Sequence, residues 1–281
     1  MSGGLIDLHT HTTCSDGALT PTELARRAVA KGVTTLAVTD HDTVAAWSEL
    51  ASFKHADLAC VCGIELSSHW GPLDVHVVGL NVDPSNVTLL AGIASQRDAR
   101  DTRARRIAHK LKRRRIPDPL AGAMRYAQGA VIGRPHFAQH LVACGAVPDV
   151  AAAFKRYLGK GKPAAVRTDW PALQTVITWI HAAGGKAVLA HPLKYRVTSS
   201  RRRQLIKAFR DAGGDAMEVI SGVQRPDATS HASRLCTEFG LLASLGSDFH
   251  RPSQSWNDLG HGLVLPGGLR PVWAEWAEWA A

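Results

Sequence analysis

Eight short apolar runs recur along the chain, at residues 5–8, 35–39, 58–64, 75–80, 186–190, 216–220, 241–245 and 262–265. Each is too short for a buried helix and reads as a buried strand. Helical patterns separate them. Thr20-Pro21-Thr22-Glu23 offers a capping box and a proline for the first turn, and Gly32 closes that helix. A second helix is expected from Trp170 to Ala183 and a third from about Ser200 to Ala212, each ending at a Gly-Gly pair. Repeated strand–helix–strand order points to the α/β class with a parallel, barrel-like sheet. The rhythm breaks at residues 95–163, which are helix-rich and interrupted by Pro117, Pro119, Pro135 and Pro148. The expected organisation is a barrel made of 1–94 and 164–281, with a small helical substrate-binding subdomain inserted at 95–163. A chain of 281 residues buries a full core without disulfide or metal staples.

The five cysteines, Cys14, Cys60, Cys62, Cys144 and Cys236, are odd in number and share no repeating spacing. No secretory signal or membrane-length apolar stretch is read, so a reduced, cytoplasmic protein is expected. Nothing calls for an obligate protein partner. Trp273, Trp276 and Trp279 stand three apart and are expected to pack as one helical stripe against the barrel.

The chemistry gathers where the apolar runs end. The first leads into His9-Thr10-His11, with both imidazoles on one face because strand side chains alternate. Asp16 follows in a Ser-Asp-Gly turn. Further runs end in Asp40-His41-Asp42, Ile64-Glu65, His191-Pro192 and Ser247-Asp248-Phe249-His250, and another carries Asp74-Val75-His76. Six strand units thus deliver His, Asp or Glu at or near their carboxyl ends, the catalytic end of a parallel barrel. Imidazoles with carboxylates suit zinc, manganese or iron. No nucleophile elbow, Walker loop or dinucleotide fingerprint competes. Asp7, Asp40 and Asp42 are candidates either for orienting an imidazole or for holding backbone. His55, His69, His109, His140, His181, His231 and His261 are read as surface or structural.

His9-Thr-His11-Thr-Thr-Cys-Ser-Asp16-Gly, Val38-Thr-Asp-His41-Asp, Gly63-Ile-Glu65 and Gly246-Ser-Asp248-Phe-His250 resemble the four motifs of the PHP (polymerase and histidinol phosphatase) superfamily. Gly133-Arg134-Pro-His136-Phe-Ala, Gly161-Lys162-Pro-Ala and Leu189-Ala-His191-Pro-Leu-Lys-Tyr195 resemble signatures of its nucleoside 3′,5′-bisphosphate phosphatase and ribonuclease AM subgroup. The likeness covers almost the whole chain without departure at the motif positions. It implies a distorted (β/α)7 barrel and three divalent metal ions, often manganese. His9, His11, Glu65 and Asp248 would hold the first ion. Glu65, His76 and His191 would hold the second, and Asp16, His41 and His250 the third. His191 is preferred for the second site because it ends a strand. Its rival His136 lies in the insertion beside Arg134 and is assigned to substrate phosphate. Ions about 3.5–4 Å apart can hold a bridging hydroxide for in-line attack on phosphorus, with Asp16, His41, Glu65, Asp248 and His250 as the catalytic set.

Two phosphates on one substrate need a second clamp, for which Arg134 offers a planar fork and Lys162 a point charge. The expected reaction removes the 3′-phosphate from nucleoside 3′,5′-bisphosphates such as pAp. The alternative, which can coexist, is 5′→3′ hydrolysis of short 5′-phosphorylated RNA. Histidinol phosphatase, or a silent nucleic-acid-binding scaffold, stands behind these. The net charge of +9 is unevenly spread. Residues 97–115 carry +8 and 194–210 carry +7, so the rest of the chain carries −6. The first run is expected to be a solvated helix face or a track for an RNA backbone. Lys194, Tyr195 and Arg196 are expected near the cleft.

Overall fold

The computed structural model describes residues 4–253 and 257–276. Seven strands form one sheet in sequence order: β1 (Leu5–Asp7), β2 (Val33–Val38), β3 (Ala59–Trp70), β4 (Leu73–Leu80), β5 (Lys186–Leu189), β6 (Ala216–Ser221) and β7 (Leu242–Gly246). The sheet curls into a nearly closed barrel. The Leu8 amide donates to the Leu245 carbonyl (3.2 Å) and the Asp248 amide to the His9 carbonyl (2.8 Å), so β7 returns to β1. Gly246 sits where these two segments come closest. A Cβ there would lie 2.6 Å from the His9 nitrogen, so no larger residue fits without displacement.

The repetition predicts an all-parallel barrel, and the structure departs from this at β4. β3 and β4 form an antiparallel hairpin turned by Gly71 (φ 56°), and β4 is also antiparallel to β5. The other neighbouring pairs are parallel. The eighth expected strand, at 262–265, is absent. Gly260 and Gly262 both adopt positive φ there, which bends the chain out of extended conformation.

Nine α-helices are described: α1 (Pro21–Ala30), α2 (Trp47–Leu50), α3 (Val87–Lys112), α4 (Pro119–Ala127), α5 (Arg134–Ala143), α6 (Val150–Ala153), α7 (Leu173–Ala182), α8 (Ser199–Asp211) and α9 (Pro226–Glu238). The capping box at Thr20 and Glu23 forms as read. None of the helices is long and apolar enough to cross a membrane. One small core draws Leu8, Ala37, Val61, Val78, Val188 and Ala216 together from successive strand units and is covered by Val272 and Trp276. Trp273 packs on the same core; Trp279, the third of the expected stripe, lies outside the described residues.

Between β4 and β5 the chain builds a separate helical core from Ala104, Ile107, Leu111, Phe137, Leu141 and Tyr157. Helix α3 belongs to both bodies. Its Leu89 enters the barrel's outer core, while Ala104 to Leu111 enter the helical one. Gly92 lets the Trp179 ring of α7 lie against the α3 backbone, since a Cβ would sit 2.5 Å from that ring.

Asp7 pins the closure. Its buried carboxylate accepts from the amides of Ser247 (2.8 Å) and Gly260 (3.0 Å), tying β1 to the segments after β7. Burial nevertheless lifts its pKa to about 6. Asp7→Ala leaves two buried amides without acceptors and is expected to lower unfolding free energy by about 2–5 kcal/mol. Urea denaturation measures this; an unchanged midpoint would show that the pin contributes nothing.

Candidate metal centre

The segment after β1 presents His9 and His11 to one side, while Thr10 turns the other way and donates its hydroxyl to the Ala37 carbonyl (2.7 Å). Asp16 stands on a tight loop in which the Ser15 and Gly17 amides both donate to the Thr12 carbonyl. His41 follows β2. His191 follows β5, and Asp248 and His250 follow β7. His191 (φ 33°) and Asp248 (φ 57°) hold left-handed backbone, which costs free energy at non-glycine residues and is retained where side-chain direction matters. Glu65 and His76 correct the strand-end expectation. Glu65 lies in the middle of β3, and His76 lies near the start of the antiparallel β4, paired with Ser67. The hairpin turns both onto the same face as the loop residues.

Glu65 is the hub. One carboxylate oxygen lies 2.9 Å from His41 Nδ1 and 3.4 Å from both His9 Nε2 and His11 Nε2. The other lies 2.8 Å from His76 Nδ1 and 3.0 Å from His191 Nε2. Asp248 Oδ1 faces His11 Nε2 (3.5 Å) and His9 Nε2 (3.7 Å). Asp16 Oδ1 faces His250 Nε2 (3.3 Å) and His41 Nε2 (3.9 Å). Ligand atoms fall within 4.8 Å of one another in three sets: His11, Asp16, His41 and His250; His9, His11 and Asp248; His41, Glu65 and His76.

Burial by itself would raise the carboxyl groups of Asp16, Glu65 and Asp248, but the surrounding imidazoles hold all three well below the usual range. Burial, with the nearby His250 and His41, pushes His11 down to about 3, which keeps its lone pair free. His11 Nδ1, His41 Nδ1, Asp16 Oδ1 and Glu65 Oε2 are buried with no hydrogen-bond partner. Buried polar atoms rarely stay unpaired. Oxygen and imidazole donors converging in this way fit divalent cations.

A residue that the sequence reading missed supports this wall. Glu218, buried on β6, accepts from the His191 amide (2.6 Å) and lies 2.6 Å from His9 Nδ1, leaving His9 Nε2 directed at Glu65 and Asp248. By contrast, Asp40 holds the Asp16 loop through Thr12 and Ser15, and Asp42 holds Ser67 and Arg100. No hydrogen bond joins Asp7, Asp40 or Asp42 to an imidazole, so these three fix backbone and loops. Tyr195 accepts from the His76 amide (2.8 Å), and Lys194 pairs with Asp248 (2.8 Å). His69, His140 and His181 bond to Trp170, Pro117 and Asp215, away from the centre.

Asp16, His41 and His76 also form one wall of a cavity whose other side carries Arg100, Arg103 and Arg134. Arg100 is fixed by Asp42 (2.6 Å) and Ser67 (3.0 Å). Arg103 is 8% exposed and rests over the Trp170 ring at 5.0 Å. Burial, with Arg100 and Arg134 nearby, pushes its guanidinium down to about 9. The basic run is therefore not simply a solvated face: Arg100 and Arg103 turn inward, while the remaining eight cations of 97–115 are exposed. Lys162 is exposed and does not line this cavity. His136 is buried, accepts from the Gly133 amide (3.0 Å) and lines a neighbouring cavity. Glu218→Gln removes the charge behind His9 and is expected to weaken divalent-cation binding about 10–100-fold. Metal titration by calorimetry tests this, and wild-type affinity in the variant would remove Glu218 from any orienting role.

The PHP domain model matches residues 7–187. The chain is 42% identical over 277 residues to the 5′-3′ exoribonuclease Rnm of Escherichia coli (strain K12), covering 98% of this chain and 94% of that protein. It is also 42% identical over 272 residues to a 3′,5′-nucleoside bisphosphate phosphatase of Chromobacterium violaceum, covering 96% and 95% respectively. A solved structure of a Chromobacterium violaceum amidohydrolase, with bound sulfate and no metal, matches with a TM-score of 0.90 at 42% identity over 96% of this chain and 95% of that one. A Bifidobacterium adolescentis protein described as a metal-dependent phosphoesterase matches with a TM-score of 0.79 at 28% identity, covering 95% and 92%. The family model spans well over half the residues and the relatives span nearly all of them: the chain belongs to the PHP domain family.

Proposed function

We propose that the protein hydrolyses the 3′-phosphate of nucleoside 3′,5′-bisphosphates such as pAp, giving the 5′-monophosphate and inorganic phosphate. The carrying observation is the single cavity that joins an imidazole–carboxylate wall to three guanidiniums. A substrate with one phosphate at each wall answers both. His9, His11, Glu65 and Asp248 would hold one ion; Glu65, His76 and His191 a second; Asp16, His41 and His250 a third. The distances from Glu65 to His76 and His191 support His191 over His136 in the second set. Manganese is the first choice of metal, with zinc or iron as alternatives. Divalent ions bound there supply an activated water and neutralise charge on phosphoryl oxygens. The protein's own part is orientation. Asp42 aims Arg100, Trp170 supports Arg103, and Arg134 stands at the start of α5. Arg100 and Arg103 take the clamping place that the sequence reading gave to Lys162. The five free cysteines support a reduced, cytoplasmic setting.

Asp42 and Asp74 act on the buried Arg103 guanidinium only from beyond ion-pair contact, which leaves its donors open to an anion. Arg103→Met is therefore expected to raise KM for pAp about 10–100-fold, the worth of one or two charge-assisted hydrogen bonds, with a smaller change in kcat. Steady-state phosphate release by the manganese-loaded protein measures it. The variant should also lose most of the preference for pAp over 3′-AMP, which lacks the 5′-phosphate. An unchanged pAp to 3′-AMP ratio would remove Arg103 from the clamp.

A second reading, 5′→3′ hydrolysis of 5′-phosphorylated RNA, is supported by the exposed cations Arg105, Arg106 and Lys110 of α3, which lie beside Arg167. Replacing Arg105, Arg106, Arg113, Arg114 and Arg115 with glutamine is expected to flatten the salt dependence of RNA cleavage and to spare pAp hydrolysis. Equal loss of both activities would argue against an RNA track on this face.

A further inference from the structure

We propose that a second cavity, which meets the arginine-lined one at Asp16, holds the nucleotide beyond the scissile phosphate of an RNA chain; the proposal rests on the phosphoesterase reading above. Ser15, Asp16, Tyr126, Gln128, Gln139 and Arg251 line this space of about 450 Å3, a volume that suits a nucleoside. Asp16, a member of the candidate metal centre, is common to both cavities, so they adjoin at that centre.

The chemistry of the lining selects its occupant. Tyr126, in the last turn of α4, is 39% exposed, leaving side-chain surface on which a base can stack. Gln128 and Gln139 carry amides that both donate and accept, so they pair with base edges of either polarity. Arg251 Nε is buried with no hydrogen-bond partner, a donor in need of an acceptor such as a phosphate or base oxygen. Asp16 is the only acid in the lining. A bisphosphate such as pAp ends at its 3′-phosphate and has nothing to place here. RNA continues from that phosphate through O5′ of the next nucleotide.

Hydrolysis of such a chain balances simply. Water adds to phosphorus, and the bond from phosphorus to O3′ of the first nucleotide breaks. O3′ takes up a proton, and the remaining chain keeps the phosphate as its new 5′ end. The same bond breaks in pAp, so one centre serves both substrates. The Tyr126 cavity serves the longer one.

The test compares wild type, Tyr126→Ala and Tyr126→Phe, all loaded with manganese. The substrates are pAp, the 5′-phosphorylated dinucleotide pApA, and the same dinucleotide with an abasic second position. Tyr126→Ala is expected to lower kcat/KM for pApA about tenfold and to leave pAp within about twofold, and Tyr126→Phe should restore pApA. Wild type should react about tenfold more slowly with the abasic substrate, and Tyr126→Ala should not distinguish it from pApA. Equal losses on pAp and pApA would place the first nucleotide's base in this cavity and overturn the proposal. So would wild-type indifference to the missing base, or hydrolysis of pAp with no cleavage of pApA. If wild type hydrolyses none of the three, the phosphoesterase reading itself fails and the proposal falls with it.

Discussion

A single carboxylate organises the site. Glu65 is 1% exposed, sits mid-strand, and has five imidazoles within 3.4 Å of its oxygens. An ionised acid so deeply buried costs several kcal/mol unless positive charge or hydrogen bonds surround it. The fold meets that cost from four segments: the end of β1, which supplies two imidazoles, the ends of β2 and β5, and the strand β4 all point imidazoles at one spot. The curl of the sheet and the β3–β4 hairpin can be understood as what brings those segments to one carboxylate.

Around that hub, a second set of carboxylates does mechanical work. Asp7 closes the barrel, Asp40 holds the Asp16 loop, and Asp42 joins β3 to α3 through Ser67 and Arg100. Glu218 alone bonds to a member of the hub on its ring side. Divalent ions would thus meet donors whose positions are already fixed, which lowers the cost of ordering them.

Much of this was legible in the sequence, and the failures have physical causes. Loop residues of the candidate centre such as His9, His41, His191 and Asp248 stood out because an apolar run ended on each. Glu65 and His76 were found, but their placement was misjudged. The polar stretch Ser67-Ser68-His69 hides the continuation of β3, although both serines are buried. Glu218 was overlooked inside an apolar run, yet an acid in a strand buried along all six residues needs a partner. Arg100 and Arg103 were lost in a charge run. Spacing held the clue: Leu89, Gln96, Arg100, Arg103, Ile107 and Leu111 all lie on the buried stripe of one helix. The missing strand at 262–265 shows the reverse case, in which apolar composition concealed two glycine turns.

Helix α3 is 26 residues long, about 39 Å at the usual rise, and it is anchored in two cores. Arg100 and Arg103 sit between the anchors, where neither end can swing without breaking a core. The arginines and the imidazole wall therefore keep a set separation. Under the proposed function, that separation would make the cavity a gauge of length, selecting a molecule by the distance between its two phosphates before its base is read.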